Sequence, residues 1–422
     1  MLDKILRTIE KFIPKKIYRF FQPAYHFSLS LLGAIIYRFP GKKLYVLTIT
    51  GTKGKTSTVE IVNAILEEAG YSTAIISTLR FKVGKKEERN LFKMTMPGRF
   101  FVQKMLRRAV KAKCDYALVE TTSEGARFFR HKFIYPDGLI FTNLSLEHIE
   151  SHGSFENYLK AKLSIAKEVE KSPKQKKVLI ANGDDKYGDN FLNFRVSNKS
   201  KFFLADAEPF KLYENGLDFT LGGEEIHSHL SGEFNLYNIL AAISFVKSQN
   251  ISEEIIKRAL EKFSGIRGRL EKIETGQDFV VVVDYAHTAD SMEKVYQVFQ
   301  NHKKICVFGA TGGGRDKWKR PEMGRIADTY CDEIILTDDD SYDEKPREIA
   351  EDIAVGIRNK RPIILTNRRE AIREGLKHAK TGDAVLITGK GTDPYLMGPN
   401  GTKTEWDDAS VVREELASLK RS

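Results

Sequence analysis

The sequence predicts an α/β protein: a central domain on a mainly parallel sheet, a second doubly wound α/β domain, and a short helical segment in front. Three observations carry this expectation. From Leu44 onward, strand-length apolar runs alternate with helix-length amphipathic segments, the pattern of right-handed βαβ units. The first run leads into a turn rich in glycine and lysine, Thr50-Gly51-Thr52-Lys53-Gly54-Lys55-Thr56-Ser57-Thr58. A second alternating series begins near Phe279, after Gly265-Ile266-Arg267-Gly268-Arg269 interrupts helical periodicity. The expected division is 1–44, 45–266 and 267–422.

Taken in order, the first series places strands at 44–50, 73–77, 116–120, 138–142 and 177–181, with helices such as 59–69 and 100–113 between them. The stretch 195–232 is less regular and predicts short antiparallel strands with glycine-rich turns. The second series places strands at 279–284, 304–309, 333–337, 362–365 and 384–388, which read as a Rossmann-like domain. There are no internal repeats and no low-complexity linker.

A length of 422 residues suits two or three domains. The net charge of +11 is uneven: residues 1–44 hold nine Lys/Arg and two Asp/Glu, so the other nine-tenths carry only +4. That balance argues against a nucleic-acid-binding body. Cys114, Cys306 and Cys331 are far apart and lack metal-ligand spacing, so no disulfide framework is expected, as in a reducing cytosol. The apolar stretch 27–37 is too short to span a bilayer and too far in for a signal peptide. The expectation is a cytoplasmic monomer.

In the turn at 50–58, Gly51 and Gly54 allow tight backbone turns that aim N–H groups at phosphate oxygens. Thr52, Lys53 and Ser57 complete the loop, Lys55 can reach outer phosphates, and Thr56 can offer its hydroxyl to Mg²⁺. The helix that follows favours the same anion at its N-terminus. ATP is the expected ligand, and the bland alternative is an ordinary strand–helix turn. Glu120, at the end of another strand, can cap a helix or ligate the same metal. Lys162, taken alone, is a solvated helix charge.

Several segments match one family in order and spacing. Gly51-Thr52-Lys53-Gly54-Lys55-Thr56 is the short loop of Mur ligases and folylpolyglutamate synthetases. Thr142-Asn143-Leu144-Ser145-Leu146-Glu147-His148-Ile149-Glu150-Ser151-His152-Gly153, with Tyr158 and Lys162 beyond, resembles the Mur ligase pattern T-N-L-x-x-D-H-L-D-x-H-G…Y-x-x-A-K. Glu147 and Glu150 replace the usual Asp. Gly232-Glu233-Phe234-Asn235-Leu236-Tyr237-Asn238 matches G-x-F-N-x-x-N. Asp284-Tyr285-Ala286-His287-Thr288 and Gly312-Gly313-Gly314-Arg315-Asp316-Lys317-Trp318-Lys319-Arg320-Pro321 resemble signatures of the type that adds the third stem-peptide residue. Gly389-Lys390-Gly391-Thr392-Asp393 resembles its G-K-G-H-E loop. Over about 45–415 the chain looks like a UDP-N-acetylmuramoyl-tripeptide synthetase (MurE-like) of the Mur ligase family.

The resemblance implies ATP-dependent amide synthesis through an acyl phosphate, with two Mg²⁺ ions. Thr56 and Glu120 would hold one, and His148 with a carbamylated Lys162 (N6-carboxylysine) the other. Lys55, Lys162, His148 and Glu120 are the catalytic candidates. Asn235, Asn238, Arg269, Asp284 and His287 would complete the nucleotide site, with both domains needed to assemble it. Thr95, Thr122 and Arg130 would contact the muramoyl-dipeptide acceptor. Arg315, Asp339, Asp340, Gly389 and Asp393 would contact the incoming amino acid.

In meso-diaminopimelate enzymes the loop after the third C-terminal strand reads Asp-Asn-Pro-Arg. Here it reads Asp339-Asp340-Ser341-Tyr342. Loss of the arginine and gain of an acid lead to the expectation of L-lysine or another basic diamino acid. The alternatives are a ligase acting on a lipid-linked cell-wall precursor, a folylpolyglutamate synthetase, and a nucleotide-binding scaffold.

About 43 residues precede the first strand, too few for the family's usual uridine-binding domain, so weak dependence on the uridine moiety is expected. Leu2, Ile5, Ile9 and Phe12 suggest an apolar helix face among Lys4, Arg7, Lys11, Lys15 and Lys16, and Phe20, Phe21, Tyr25 and Phe27 follow. Two readings stay open: a cap packed on the central domain, or peripheral membrane contact through residues 1–40.

Overall fold

The computed structural model describes residues 15–147, 149–314 and 316–420. By contact the chain forms two compact units, Met1–Phe203 with Ala241–Ser252, and Leu204–Leu240 with Glu253–Ser422.

Among the described residues, the first unit is built on an eight-stranded sheet: β1 (Tyr45–Thr50), β2 (Thr73–Ile76), β3 (Arg80–Val83), β4 (Lys86–Arg89), β5 (Tyr116–Glu120), β6 (Gly138–Phe141), β7 (Val178–Asn182) and β8 (Asn198–Phe202). The order is β4-β3-β2-β5-β1-β6-β7-β8. β2, β5, β1, β6, β7 and β8 run parallel, whereas β3 and β4 add antiparallel pairs. β5, β6 and β7 are buried along their whole length, because helices cover both faces of a parallel sheet. Val46, Ala117 and Val119 pack on one face with Val102 and Leu106 of the helix Arg99–Lys111. Leu139, Phe141 and Leu179 pack on the other with Tyr158, Ile165 and Val169 of the helix Phe155–Lys171.

The irregular 195–232 stretch resolves differently from expectation. β8 extends the parallel sheet at its edge. Only the rest forms an antiparallel sheet, β9 (Phe210–Tyr213), β10 (Gly216–Leu221) and β11 (Glu224–Ser228), which lies in the second unit. The expected N-terminal helix is present as Lys15–Ile36. The apolar face assigned to Leu2, Ile5, Ile9 and Phe12 lies outside the described residues. No helix among the described residues is long and apolar enough to cross a membrane.

The second unit carries β12 (Glu271–Lys272), β13 (Val280–Asp284), β14 (Lys304–Phe308), β15 (Glu333–Leu336), β16 (Ile363–Ile364) and β17 (Ala384–Thr388), in the order β12-β13-β17-β14-β15-β16. All pairs are parallel except β12–β13. Helix-covered cores lie on both faces, the expected doubly wound form.

The expectation that no cysteines pair is corrected here. Cys306 in β14 is disulfide-bonded to Cys331, with Cα atoms 6.0 Å apart. The crossover helix Lys319–Tyr330 returns the chain beside β14, so 25 residues of separation conceal a spatial neighbour. Cys114 is free and buried.

Candidate functional site

The phosphate-loop residues sit at the C-terminal end of β1, flanked by the ends of β5 and β6, where ligands of open parallel sheets collect. The loop is stapled to the segment after β6. The Thr52 N–H donates to the Asn143 carbonyl at 2.8 Å, and the Lys53 N–H donates to Asn143 Oδ1 at 2.9 Å. The Lys53 carbonyl accepts from Thr142 Oγ1 at 2.6 Å and Asn143 Nδ2 at 3.1 Å. Gly51 allows this approach, since a Cβ there would stand 1.9 Å from Thr142 Oγ1. Gly54 (φ +81°) turns the chain into the helix Lys55–Glu68, whose first turn holds no acid. Its N-terminus is therefore electrostatically open to an anion. Lys55 Nζ curls back over the loop, donating to the carbonyls of Thr52 (2.7 Å) and Gly51 (3.1 Å).

Glu120 faces the loop because β5 pairs with β1 in the register Ile49↔Glu120. Thr56 Oγ1 donates to its Oε2 at 3.0 Å, and both side chains are buried with Ser57. A hydroxyl and a carboxylate converging this way are the hard oxygen donors Mg²⁺ prefers. The residues therefore fit a metal at this point. Thr78 also holds Glu120, donating to Oε2 through its N–H (2.9 Å) and to Oε1 through Oγ1 (3.0 Å). Sequence reasoning missed Thr78, because one threonine after a strand carries no signal of its own.

Lys162 is 2% exposed, not the solvated charge its sequence position alone would suggest. It projects from the helix Phe155–Lys171 so that Nζ donates to the Gly51 carbonyl at 2.5 Å and lies 4.9 Å from the Tyr158 ring centroid. Burial, reinforced by the positive charge of Lys55, holds its ammonium well below the usual lysine range, against the opposing pull of Glu147 and Glu120. Tyr158, one helical turn earlier, hydrogen-bonds Thr52 Oγ1 at 3.0 Å, so a single helix reaches the loop twice. Glu147 stands 3.9 Å from Lys53 Nζ. His148 lies outside the described residues. Its neighbour His152 contacts Ser123 Oγ at 3.1 Å.

The three acceptor candidates fare unequally. Thr95 Oγ1 is 2.7 Å from Thr78 Oγ1, which links it to Glu120. Thr122 is spent on local structure, its side chain capping the helix Ser123–Arg127 by accepting the Gly125 N–H at 3.0 Å. Arg130 donates through Nη1 to the Met96 carbonyl at 2.6 Å, while its Nε is buried with no hydrogen-bond partner among the described residues. Beside it Arg99 donates to the Phe128 carbonyl at 3.1 Å and contacts His26 of the N-terminal helix.

In the second unit, Asp284 at the end of β13 accepts N–H bonds from Ala286 (2.6 Å) and Leu270 (2.7 Å). Burial pushes its carboxyl up despite Arg269 nearby. The Arg269 guanidinium stacks 4.2 Å from the Tyr285 ring centroid, and His287 is exposed and bonded to the Tyr285 carbonyl. Asn235 and Asn238 are buried, with Asn238 Nδ2 donating to Asn235 Oδ1 at 3.1 Å and Asn235 Nδ2 to the Ser231 carbonyl.

The acids assigned to the incoming amino acid gather around one lysine of the chain itself. Lys390, fully buried, places Nζ 2.8 Å from Asp340, 3.2 Å from Asp393 and 3.8 Å from Asp339. Burial alone would lower this ammonium, but the three carboxylates raise it. The cationic partner that these acids seemed to await is thus internal. Gly389 (φ +112°) lets the chain pass, since a Cβ would stand 2.3 Å from Asp339 Oδ2. Arg315 lies outside the described residues.

Known proteins resemble the chain over most of its length. The family description "Mur ligase middle domain" matches residues 49–246, and "Mur ligase, glutamate ligase domain" matches 268–391. The UDP-N-acetylmuramoyl-L-alanyl-D-glutamate–2,6-diaminopimelate ligase of Syntrophomonas wolfei is 36% identical over 407 residues, covering 92% of this chain and 81% of that protein. The UDP-N-acetylmuramyl-tripeptide synthetase of Roseiflexus is 33% identical over 420 residues, covering 93% and 82%. A solved UDP-N-acetylmuramoyl-L-alanyl-D-glutamate–2,6-diaminopimelate ligase superposes with TM-score 0.60 at 26% identity, over 90% of this chain and 79% of that one. With the two family descriptions matched over most of its length and relatives above 30% identical along more than nine-tenths of it, the chain belongs to the Mur ligase family of ATP-dependent amide-forming ligases.

Proposed function

We propose that the chain adds a diamino acid to a muramoyl-dipeptide peptidoglycan precursor through an acyl phosphate. The observation that carries this reading is the convergence of Lys55, Lys162 and the Thr56–Glu120 pair on one phosphate loop. The substrates are taken from those in the names of two similar proteins, both ligases of muramoyl precursors.

An acceptor carboxylate oxygen attacks the γ-phosphorus of ATP and ADP leaves. The amine nitrogen then attacks the acyl carbon. Phosphate departs with the acceptor's oxygen, and the amine's proton passes to solvent. Such chemistry depends mainly on positioning and charge neutralisation. The loop N–H groups and Lys55 bind and orient the phosphates. Thr56 and Glu120 would hold Mg²⁺, which when bound neutralises phosphate charge.

Lys162 is proposed as N6-carboxylysine, contributing with His148 to a second ion. CO₂ adds to a neutral amine, forming an N–C bond with loss of one proton, and the buried position of Lys162 favours that neutral form. The resulting anion would suit a cation where an ammonium would repel it. Domain limits of 45–266 and 267–422 are proposed on the two family matches. The cytoplasm is proposed as the compartment because it supplies ATP.

For the amine we propose L-lysine or a similar diamino acid over meso-diaminopimelate. With Asp340 committed to Lys390, this now rests on Tyr342 standing where diaminopimelate enzymes carry an arginine. Phosphate release is measured with a muramoyl-dipeptide and the two amines in competition, and with folate plus glutamate as a control. Preferential incorporation of L-lysine is expected. Preference for meso-diaminopimelate would reverse the amine assignment, and turnover with folate alone would overturn the acceptor.

A further inference from the structure

The helix Lys15–Ile36 turns the wrong side outward. Its inner face is fixed to the first unit: Ala34 is fully buried, Ser30 Oγ donates to the Phe129 carbonyl at 2.8 Å, and His26 contacts Arg99. A surface helix ordinarily presents polar residues on the opposite arc. Here that arc carries Phe21, Tyr25, Leu32, Ile35 and Ile36, each between 44% and 60% exposed. At about 100° per residue their spacing keeps them on one stripe.

Charge accompanies the stripe. The chain has no carboxylate side chain between Glu10 and Glu60. Arg38, Lys42 and Lys43 follow the last exposed isoleucine and are themselves exposed. Lys42 is held over the Phe39 and Tyr135 rings at 5.1 Å from each centroid. An apolar stripe ending in exposed cations, with no acid near it in sequence, is complementary to an anionic lipid surface. Pairing with a second copy across a two-fold axis would instead oppose two basic, carboxylate-free segments.

We infer that the outward face of this helix docks the protein on an anionic bilayer, with Tyr25, Leu32, Ile35 and Ile36 at the headgroup–acyl boundary and Arg38, Lys42 and Lys43 on lipid phosphates. The helix lies in the interface rather than spanning it. The contact is peripheral and weakens as salt rises.

The test is co-sedimentation of the full chain with phosphatidylcholine vesicles, with and without phosphatidylglycerol. The expected result is binding at least about tenfold stronger to the anionic vesicles. A Leu32→Glu/Ile35→Glu variant should lose that binding, and an Arg38→Glu/Lys43→Glu variant should lose its preference for anionic lipid. All four positions are exposed, so unchanged thermal unfolding of both variants confirms that the fold is kept. No vesicle binding by the full chain would overturn the inference. So would binding that survives both variants, which would move the contact to residues 1–14. Concentration-dependent dimers abolished by Leu32→Glu/Ile35→Glu, without lipid binding, would give the face to a second copy.

Discussion

At the scale of single residues, Lys162 joins the sequence to the chemistry most directly. Its Nζ is buried against the Gly51 carbonyl, so its charge state affects every phosphate the loop holds. Lys162→Ala should lower turnover by on the order of 10²–10³-fold or more, comparable to loss of one electrostatic stabiliser, while thermal unfolding shows an intact fold. Added bicarbonate should not restore activity, whereas short carboxylic acids should do so in part by occupying the vacated oxygen positions. Near-normal turnover would remove the carbamate from the account. Thr56 and Lys162 were singled out because each sits at a fixed offset within a motif, and Glu120 because it ends a strand beside the loop. Thr78 and Tyr158 were not, since each contributes one oxygen whose importance comes from tertiary placement. Lys390 shows the opposite failure. Asp340 and Asp393 read as vacant acids because a linear sequence cannot show that a lysine 50 residues from Asp340 folds between them.

At the scale of elements, the buried parallel strands were legible and the charged edge strands of the first sheet were not. β5 and β17 fall at the limits their apolar runs set. β3 and β4 read Arg-Phe-Lys-Val and Lys-Glu-Glu-Arg, charged in the way sheet edges are protected from further pairing, and so resemble loop. The β1–loop–helix element depends on one close approach. Gly51→Ala would drive a methyl into Thr142 Oγ1 and push the loop off the β6 end. Overpacking of this kind costs about 1–3 kcal/mol. Nucleotide affinity should fall with it, read as a weaker ATP-induced rise in melting temperature; a full ATP-induced rise would show that the loop tolerates the displacement.

At the scale of the whole molecule, charge networks set the response to acid. Arg320, 1% exposed, holds Glu344 at 3.0 Å, and the Gly314 N–H and Lys317 bind the same carboxylate. The Arg320 hydrogen bond leads in pulling Glu344 down to about 2. Because the folded-state value is depressed, its stabilisation is present above the ordinary glutamate value and is lost as pH falls toward 2. With solvent screening this is worth on the order of 1 kcal/mol. Glu344→Gln should lower stability near neutral pH by that amount and flatten the decline between about pH 4 and 2, as followed by denaturant unfolding across pH. An unchanged acid limb would show that the pair is fully solvated.

The central claim, that the phosphate loop activates a carboxylate for amide formation, is tested most directly by isotope transfer. A muramoyl-dipeptide carrying ¹⁸O in its terminal carboxylate is incubated with ATP, Mg²⁺ and L-lysine, and the released phosphate and the peptide product are weighed by mass spectrometry. One ¹⁸O atom is expected in each phosphate released and one new amide in each product. Phosphate free of ¹⁸O, or ATP hydrolysis that proceeds equally well without the acceptor, would contradict it.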